Sequence, residues 1–393
     1  MSKWKMVKLG DVCKFINGDR GKNYPSGKDI VENGIPFINA GHLVNNEISF
    51  SSMNYITEDK YNQLGSGKIQ KGDFLYCLRG SLGKHAIVEN LEKGAVASSL
   101  VILRPTNIDV HYLSYCMDSP SISTQLQQAN NGSSQPNLSA NSVKQYIVPL
   151  PPLEEQKRIA DILDKASNLI DLRKQQLEKM DLLIKSKFID MFGDPVTNPK
   201  GWDMKKISDV CIINPRKTEL GSIPDDLEVS FIPMASVSEK GDIRTNEIKK
   251  YSEVKTGFTY FYEGDVLFAK ITPCMENGKG AIAKNLKNLI GFGSTEFHVI
   301  RPIENITNSE WIFNLICFKW LREDAEKNMT GSAGQRRVPA SYFEKCKVSV
   351  PPIELQNQFA KFVEQVEKQK AVMQQSLEKM ETNYKALMQE YFG

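Results

Sequence analysis

No stretch of the 393 residues approaches the roughly 18 uninterrupted apolar residues needed to cross a bilayer. The opening MSKWKMVKLGDVCKF alternates lysine with apolar residues and holds no apolar core of signal-peptide length, so a cytoplasmic location is expected. Charge of one sign is also missing: 50 Lys+Arg against 47 Asp+Glu leave +3, too little for a histone-like polycation. Nucleic-acid binding would have to rest on local patches. The seven cysteines are odd in number and form no C-x-x-C pair, which excludes a disulfide framework and a structural zinc site; reduced, mostly buried thiols are expected.

Catalytic signatures are equally scarce. The four histidines, His42, His85, His111 and His298, show no metal-like spacing. Gly65-Ser66-Gly67-Lys68 lacks the four-residue gap and the Ser/Thr after Lys of a phosphate loop. No G-x-S-x-G elbow occurs, and Asn198-Pro199-Lys200 and Asn214-Pro215-Arg216 miss the Asn/Asp-Pro-Pro-aromatic pattern of amino-methylating DNA methyltransferases. No catalysis, metal or cofactor is expected in this chain.

What the sequence does contain is a repeat. Trp4 matches Trp202, Asp11-Val12-Cys13 matches Asp209-Val210-Cys211, and Gly72-Asp73 matches Gly264-Asp265. Arg104-Pro105, Gly132-Ser133 and Pro151-Pro152 return as Arg301-Pro302, Gly331-Ser332 and Pro351-Pro352. After the prolines the register is strict: Leu177-Glu178-Lys179-Met180 reappears as Leu377-Glu378-Lys379-Met380. The unit is far longer than the roughly 20–50 residues of a solenoid repeat, so this is a duplicated large module. Residues 1–150 and 194–350 read as globular domains and 151–193 and 351–393 as the helices that follow them.

Both helices carry an apolar seam at alternating steps of three and four. Leu163, Ile170, Leu177, Met180 and Ile184 mark the first, and Val366, Met373, Leu377, Met380 and Leu387 the second. A seam held for about four heptads predicts a coiled coil between the two helices, against the alternatives of a helix face on a globular core or an intermolecular pair. At 1.5 Å per residue each helix would be nearly 60 Å long. The expected fold class is α+β: two mixed α/β domains related by duplication and separated by two long helices in an antiparallel coiled coil, with pseudo-two-fold symmetry. Strands are expected at Asp73–Cys77, Ala97–Leu103, Asp265–Ala269 and Glu296–Ile300, among others, and helices over Val110–Met117 and Ser309–Lys327.

Polar, glycine-rich loops with interleaved cations occupy matching places in the two copies. Arg79, Ser81 and Lys84 follow a predicted strand in the first, where Lys270, Thr272 and Lys279 stand in the second. Asn131, Gly132, Ser133, Ser134 and Gln135 are matched by Thr330, Gly331, Ser332, Gln335, Arg336 and Arg337. Arg20, Lys22 and Asn23, and Arg216 with Lys217, are weaker candidates of the same type. Lys and Arg can neutralise phosphates, and Arg, Asn and Gln can read base edges bidentately. Ordinary solvated turns have the same composition.

The order of domain, Pro-Pro-opened helix, domain and second such helix resembles the specificity subunit of type I restriction-modification enzymes, over the whole chain. The residues that carry it are Pro149-Leu150-Pro151-Pro152-Leu153-Glu154-Glu155-Gln156 and the echo Val350-Pro351-Pro352-Ile353-Glu354-Leu355-Gln356, where Leu355 departs from the glutamate. The resemblance implies two target recognition domains, each reading half of a split double-stranded DNA target, with the helices as a ruler. It implies docking of two methyltransferase subunits, which carry S-adenosylmethionine and methylate adenine, and of restriction subunits driven by ATP and Mg in the full complex. Half-sites about one helical turn, roughly 34 Å, apart suit domains reading one face of a duplex, and the diverged copies imply an asymmetric target. A scaffold without DNA and a self-contained methyltransferase are the rival readings.

Overall fold

The structure is a computed structural model that describes residues 4–129, 137–332 and 334–393. It divides into two units, Met1–Lys174 with Gln375–Gly393, and Gln175–Gln374. Each holds one globular part and one half of each long helix, Leu153–Phe192 and Ile353–Phe392.

In the first unit an antiparallel sheet runs in the order Cys13–Asn17, Leu100–Pro105, Phe74–Cys77, His85–Ile87. Its central strands are apolar over Phe74–Cys77 and 100–103, where both faces are buried. Phe74, Tyr76, Val101 and Leu103 point to one core, and Leu75, Cys77, Leu100 and Ile102 to another, the alternation that a pleated strand imposes. The first core is completed by the helix Val110–Met117 and by the long helices, through Ile159, Leu163, Met388, Tyr391 and Phe392. The second lies towards a further four-stranded sheet built on Ile35–Ile38 and Asn54–Ile56.

The second unit repeats this plan. Cys211–Ile213, Phe297–Pro302, Val266–Ala269 and Gly280–Ile282 form its antiparallel sheet. Val266, Phe268 and Ile300 pack with Trp311, Phe343, Phe188 and Phe359, while Leu267, Ala269, Phe297 and Val299 face the other side. The single helix expected over Ser309–Lys327 is two, Ser309–Ile316 and Lys319–Lys327, because Phe318 between them is extended (φ −62°, ψ 134°). Its ring packs on Phe188 of the long helix, with centroids 5.1 Å apart.

The sequence landmarks turn out to be contacts. Asp73, fully buried, accepts two bonds from Arg104, Nε to Oδ1 at 2.7 Å and Nη2 to Oδ2 at 2.8 Å. Asp265 and Arg301 do the same at 2.7 Å each. Gln156, also buried, opens the first long helix with both ends of its amide used: Nε2 donates to Pro151 O at 2.9 Å, and Oε1 accepts Asp109 N at 2.7 Å. Gln356 bonds Pro351 O and Asn308 N likewise. Asp109 and Asn308 in turn cap the next helix, accepting from Tyr112 N and Trp311 N. At the departure in the echo, Glu155 pairs with Arg158 one turn on, whereas Leu355 packs against the core.

Within each unit the helix halves run antiparallel. Lys174 pairs with Glu381 at 3.2 Å in the first, and Lys370 with Asp181 at 2.7 Å in the second. Leu163, Ile170, Ile184, Val366 and Leu377 of the seam are buried, and Leu177, Met180, Met373, Met380 and Leu387 half-buried. Pairing and core packing are therefore not alternatives: the same seam does both, its outer turns entering the globular cores. All seven cysteines are unpaired and five are buried; burial pushes the Cys13 and Cys211 thiols up to about 12, which leaves them protonated and inert at neutral pH.

Two stability changes follow. Phe359→Ala removes a ring packed edge-on against Phe188 and Phe192 (centroids 5.4 Å in both cases) and should cost about 3–5 kcal/mol in denaturant unfolding. Asp73→Ala strands the Arg104 guanidinium; because that side chain keeps 25% exposure, the cost should be about 2–3 kcal/mol, below the value for a fully buried pair. A loss under about 0.5 kcal/mol, the usual surface range, at either site would contradict the role given to it.

Candidate nucleic-acid interface

Strand direction decides where the candidate loops emerge. In the first unit Asn17 ends one strand opposite Val101, and Cys77 ends another opposite Leu100, so both chains leave the sheet at the same end. Arg20, Lys22 and Asn23 follow the first exit, and Arg79, Ser81 and Lys84 the second. All are exposed but Asn23, which is half-buried. Asp19 shapes the first loop by accepting Arg20 N and Gly65 N, each at 2.7 Å. This contact accounts for Gly65-Ser66-Gly67-Lys68: Ser66 Oγ donates to Asn17 O at 2.7 Å, and Lys68 lies over the Tyr61 ring.

The second loop closes on itself through Cys77 N to Lys84 O at 2.8 Å. Its base is joined to the segment after the Gly-Ser motif: Leu138 N donates to Leu78 O at 2.9 Å, and Arg79 bridges Asn137. Asn131, Gly132, Ser133, Ser134 and Gln135 lie outside the described residues.

In the second unit Ile213 lies opposite Ile300 and Ala269 opposite Phe297, so the two exits again share one end of the sheet. Arg216 and Lys217 are exposed there, the latter's Nζ donating to Lys255 O. Lys270, Thr272 and Lys279 are half-buried in the other loop. That loop and the Gly-Ser motif, distant in sequence, are one object. Val338 N donates to Lys270 O at 2.9 Å, Thr272 N to Arg336 O at 3.0 Å, and Thr330 and Arg337 exchange main-chain bonds of 2.9 and 2.8 Å. Gly331 makes the tight return, with φ +117° and only 2.9 Å between a would-be Cβ and Gln335 O.

The side chains divide by role. Thr330, Ser332 and Gln335 are exposed. Arg336 uses Nη2 on Glu326 O at 2.9 Å. Arg337 is held bidentately by Glu296, Nε to Oε2 at 2.9 Å and Nη2 to Oε1 at 2.8 Å, with Nη1 on Gln335 O at 3.0 Å. This pair keeps the Glu296 carboxyl below its usual range, while burial lowers the Lys270 ammonium. His298 beneath them falls to about 4 through burial and so stays neutral near pH 7; its Nε2 donates to Val338 O at 2.8 Å.

Two residues here had no sequence signal. Glu296 shares no local pattern with Arg337. Arg322, buried in the helix Lys319–Lys327, reaches under the loop to donate to Ile316 O at 2.8 Å, Met275 O at 3.2 Å and Gly278 O at 3.3 Å. The loop it supports is the longer of the two equivalents, with main-chain carbonyls that need donors. Among the described residues no group of three His, Cys, Asp or Glu could hold a metal ion, and no helix is long and apolar enough to cross a membrane.

Comparison with known proteins agrees with the duplicated plan. The type I restriction modification DNA specificity domain matches residues 1–181 and again 199–382. The EcoEI specificity subunit of Escherichia coli is 38% identical over 215 residues, covering 54% of this chain and 35% of that protein. The chain thus spans about a third of the curated relatives it matches at that identity. The MjaVIII specificity subunit of Methanocaldococcus jannaschii is 23% identical over 98% of this chain and 91% of its own length. A solved chain from work on complex assembly and conformational transition of the type I R-M system shares the fold, with TM-score 0.60 at 18% identity over 99% of this chain and 97% of its own. With two such matches covering most of its length, the chain belongs to the type I restriction modification DNA specificity family.

Proposed function

We propose that this chain is the sequence-reading subunit of a cytoplasmic type I restriction-modification complex. Each unit reads one half of a bipartite double-stranded DNA target with the loops at the exit end of its sheet. The paired helices set the half-site spacing and dock two methyltransferase subunits, with restriction subunits joining in the full complex. The chain itself carries no catalytic step; S-adenosylmethionine, ATP and Mg belong to the partners.

The observation that carries this reading is the shared placement of the cationic loops at the exit end of both sheets, with different residues in each. Arg79, Ser81 and Lys84 stand at that end of the first unit's sheet, and Lys270, Thr272 and Lys279, beside Gln335 and Arg336, at that end of the second unit's sheet. Backbone groups and cations there suit phosphates, and arginine, asparagine and glutamine suit base edges. Different residues on the same frame favour two different half-sites, hence an asymmetric target. A scaffold without DNA would need no cations at these loops. The near-neutral net charge fits a protein whose partners share the phosphate contacts.

Binding of double-stranded DNA by the full chain together with its methyltransferase subunit should weaken steeply as salt rises, the mark of counterion release. Absent or salt-insensitive binding would favour the scaffold. Arg336→Ala should weaken target binding by about 1–3 kcal/mol if it contacts a guanine, measured by titration at fixed salt; unchanged affinity would remove Arg336 from the interface.

A further inference from the structure

Arg337 stands in the Gly-Ser motif where a base-reading arginine would be expected, and three of its five N–H donors are engaged within the protein. Nε and Nη2 meet both oxygens of Glu296, and Nη1 meets Gln335 O. Charge-assisted bidentate pairing of this kind is strong and directional. The side chains are 41% and 25% exposed, so the pair is partly shielded from the water that makes surface pairs weak. The guanidinium edge that meets Glu296 is thereby fixed.

The main chain around the pair shows what it holds. Glu296 lies one residue before the strand Phe297–Pro302, with its own O accepting Lys270 N at 2.9 Å. Arg337 is the residue through which the motif bridges both Ile271 and Thr330. The ion pair therefore ties the turn carrying Gln335 and Arg336 to the start of an inner strand of the sheet. In the first unit the same backbone bonds recur, Leu78 N to Ser99 O at 2.8 Å and Leu138 N to Leu78 O at 2.9 Å, which puts Ser99 and Asn137 at the corresponding positions. A serine and an asparagine cannot form this ion pair, so among these positions the pin exists in the second unit alone.

We infer that Glu296 is a positioning residue for recognition of one half-site: it pins Arg337 so that the turn bearing Gln335 and Arg336 is presented to DNA in a single orientation. This rests on the proposed DNA-reading function. It assigns Arg337 to the frame and leaves reading to Gln335 and Arg336.

The test is selection from a random double-stranded DNA library by the full chain in complex with its methyltransferase subunit, with thermal unfolding measured in parallel. Glu296→Gln should lower discrimination in one half-site by about tenfold, the scale of one bidentate contact, and leave the other half-site unchanged. Discrimination that holds or rises in both half-sites would show that the pair positions nothing, which overturns the inference. Equal loss in both half-sites also overturns it, since that is the mark of general destabilisation. The reversed pair, Glu296→Arg with Arg337→Glu, keeps net charge and the bridge; recovered discrimination supports positioning, and a complex that melts as the wild type does without recovery overturns it. If the reversed pair does not fold, the direction of the Glu296→Gln result decides alone. A wild-type complex with no sequence preference would instead sink the proposed function itself.

Discussion

Each globular part is closed by helix ends from both repeats, and the rest of the structure depends on that closure. In the first unit Phe392 sits against Tyr112 at 5.3 Å, alongside Ile159 and Leu163. In the second, Phe188 and Phe192 meet Phe359 at 5.4 Å. Every unit thus takes the beginning of one long helix and the end of the other, which requires the halves to run antiparallel. The Pro-Pro-x-x-x-Gln string fixes where each helix begins. Its prolines suit a first turn that lacks carbonyl partners, and its buried glutamine binds the helix start to the cap of a neighbouring helix. Shifting that start by a residue would rotate the whole apolar seam by about 100°, given 3.6 residues per turn. This explains why register is strict through the helices while the globular parts drift.

The helices, the seam and the duplication were legible because their signals are local and periodic. Val110–Met117 was placed to the residue, and the two long helices to within two. What was hidden is what joins distant positions. Asp73 and Arg104 both stood out as repeated landmarks, but their pairing spans 31 residues and no local rule couples them. The break at Phe318 follows from the ring of Phe188 on the long helix, a tertiary demand that overrides the helical pattern on both sides. Arg337 was legible as a cation in a polar loop. Its partner Glu296, 41 residues earlier, was not, and that partner changes the role the arginine can play.

The two units share a frame and differ at its exit end. The buried Asp-Arg pair, the capping glutamine and the loop-base hydrogen bonds recur in both. Above that base the first unit has a short loop closed on itself, and the second a longer one propped by Arg322 and joined to a pinned turn. Different loops on a shared frame are what a duplicated reader needs in order to recognise two different half-sites with one architecture. Fixing polar side chains at the end of a rigid sheet also lowers the entropy lost on binding, so a modest number of cations can suffice.

The most direct test of this account is a map of methylated adenines in the host genome, with and without the gene for this chain. The account predicts one motif, split into two unlike halves and absent from the deletion strain. A motif that survives deletion, or one continuous site without a gap, would contradict it.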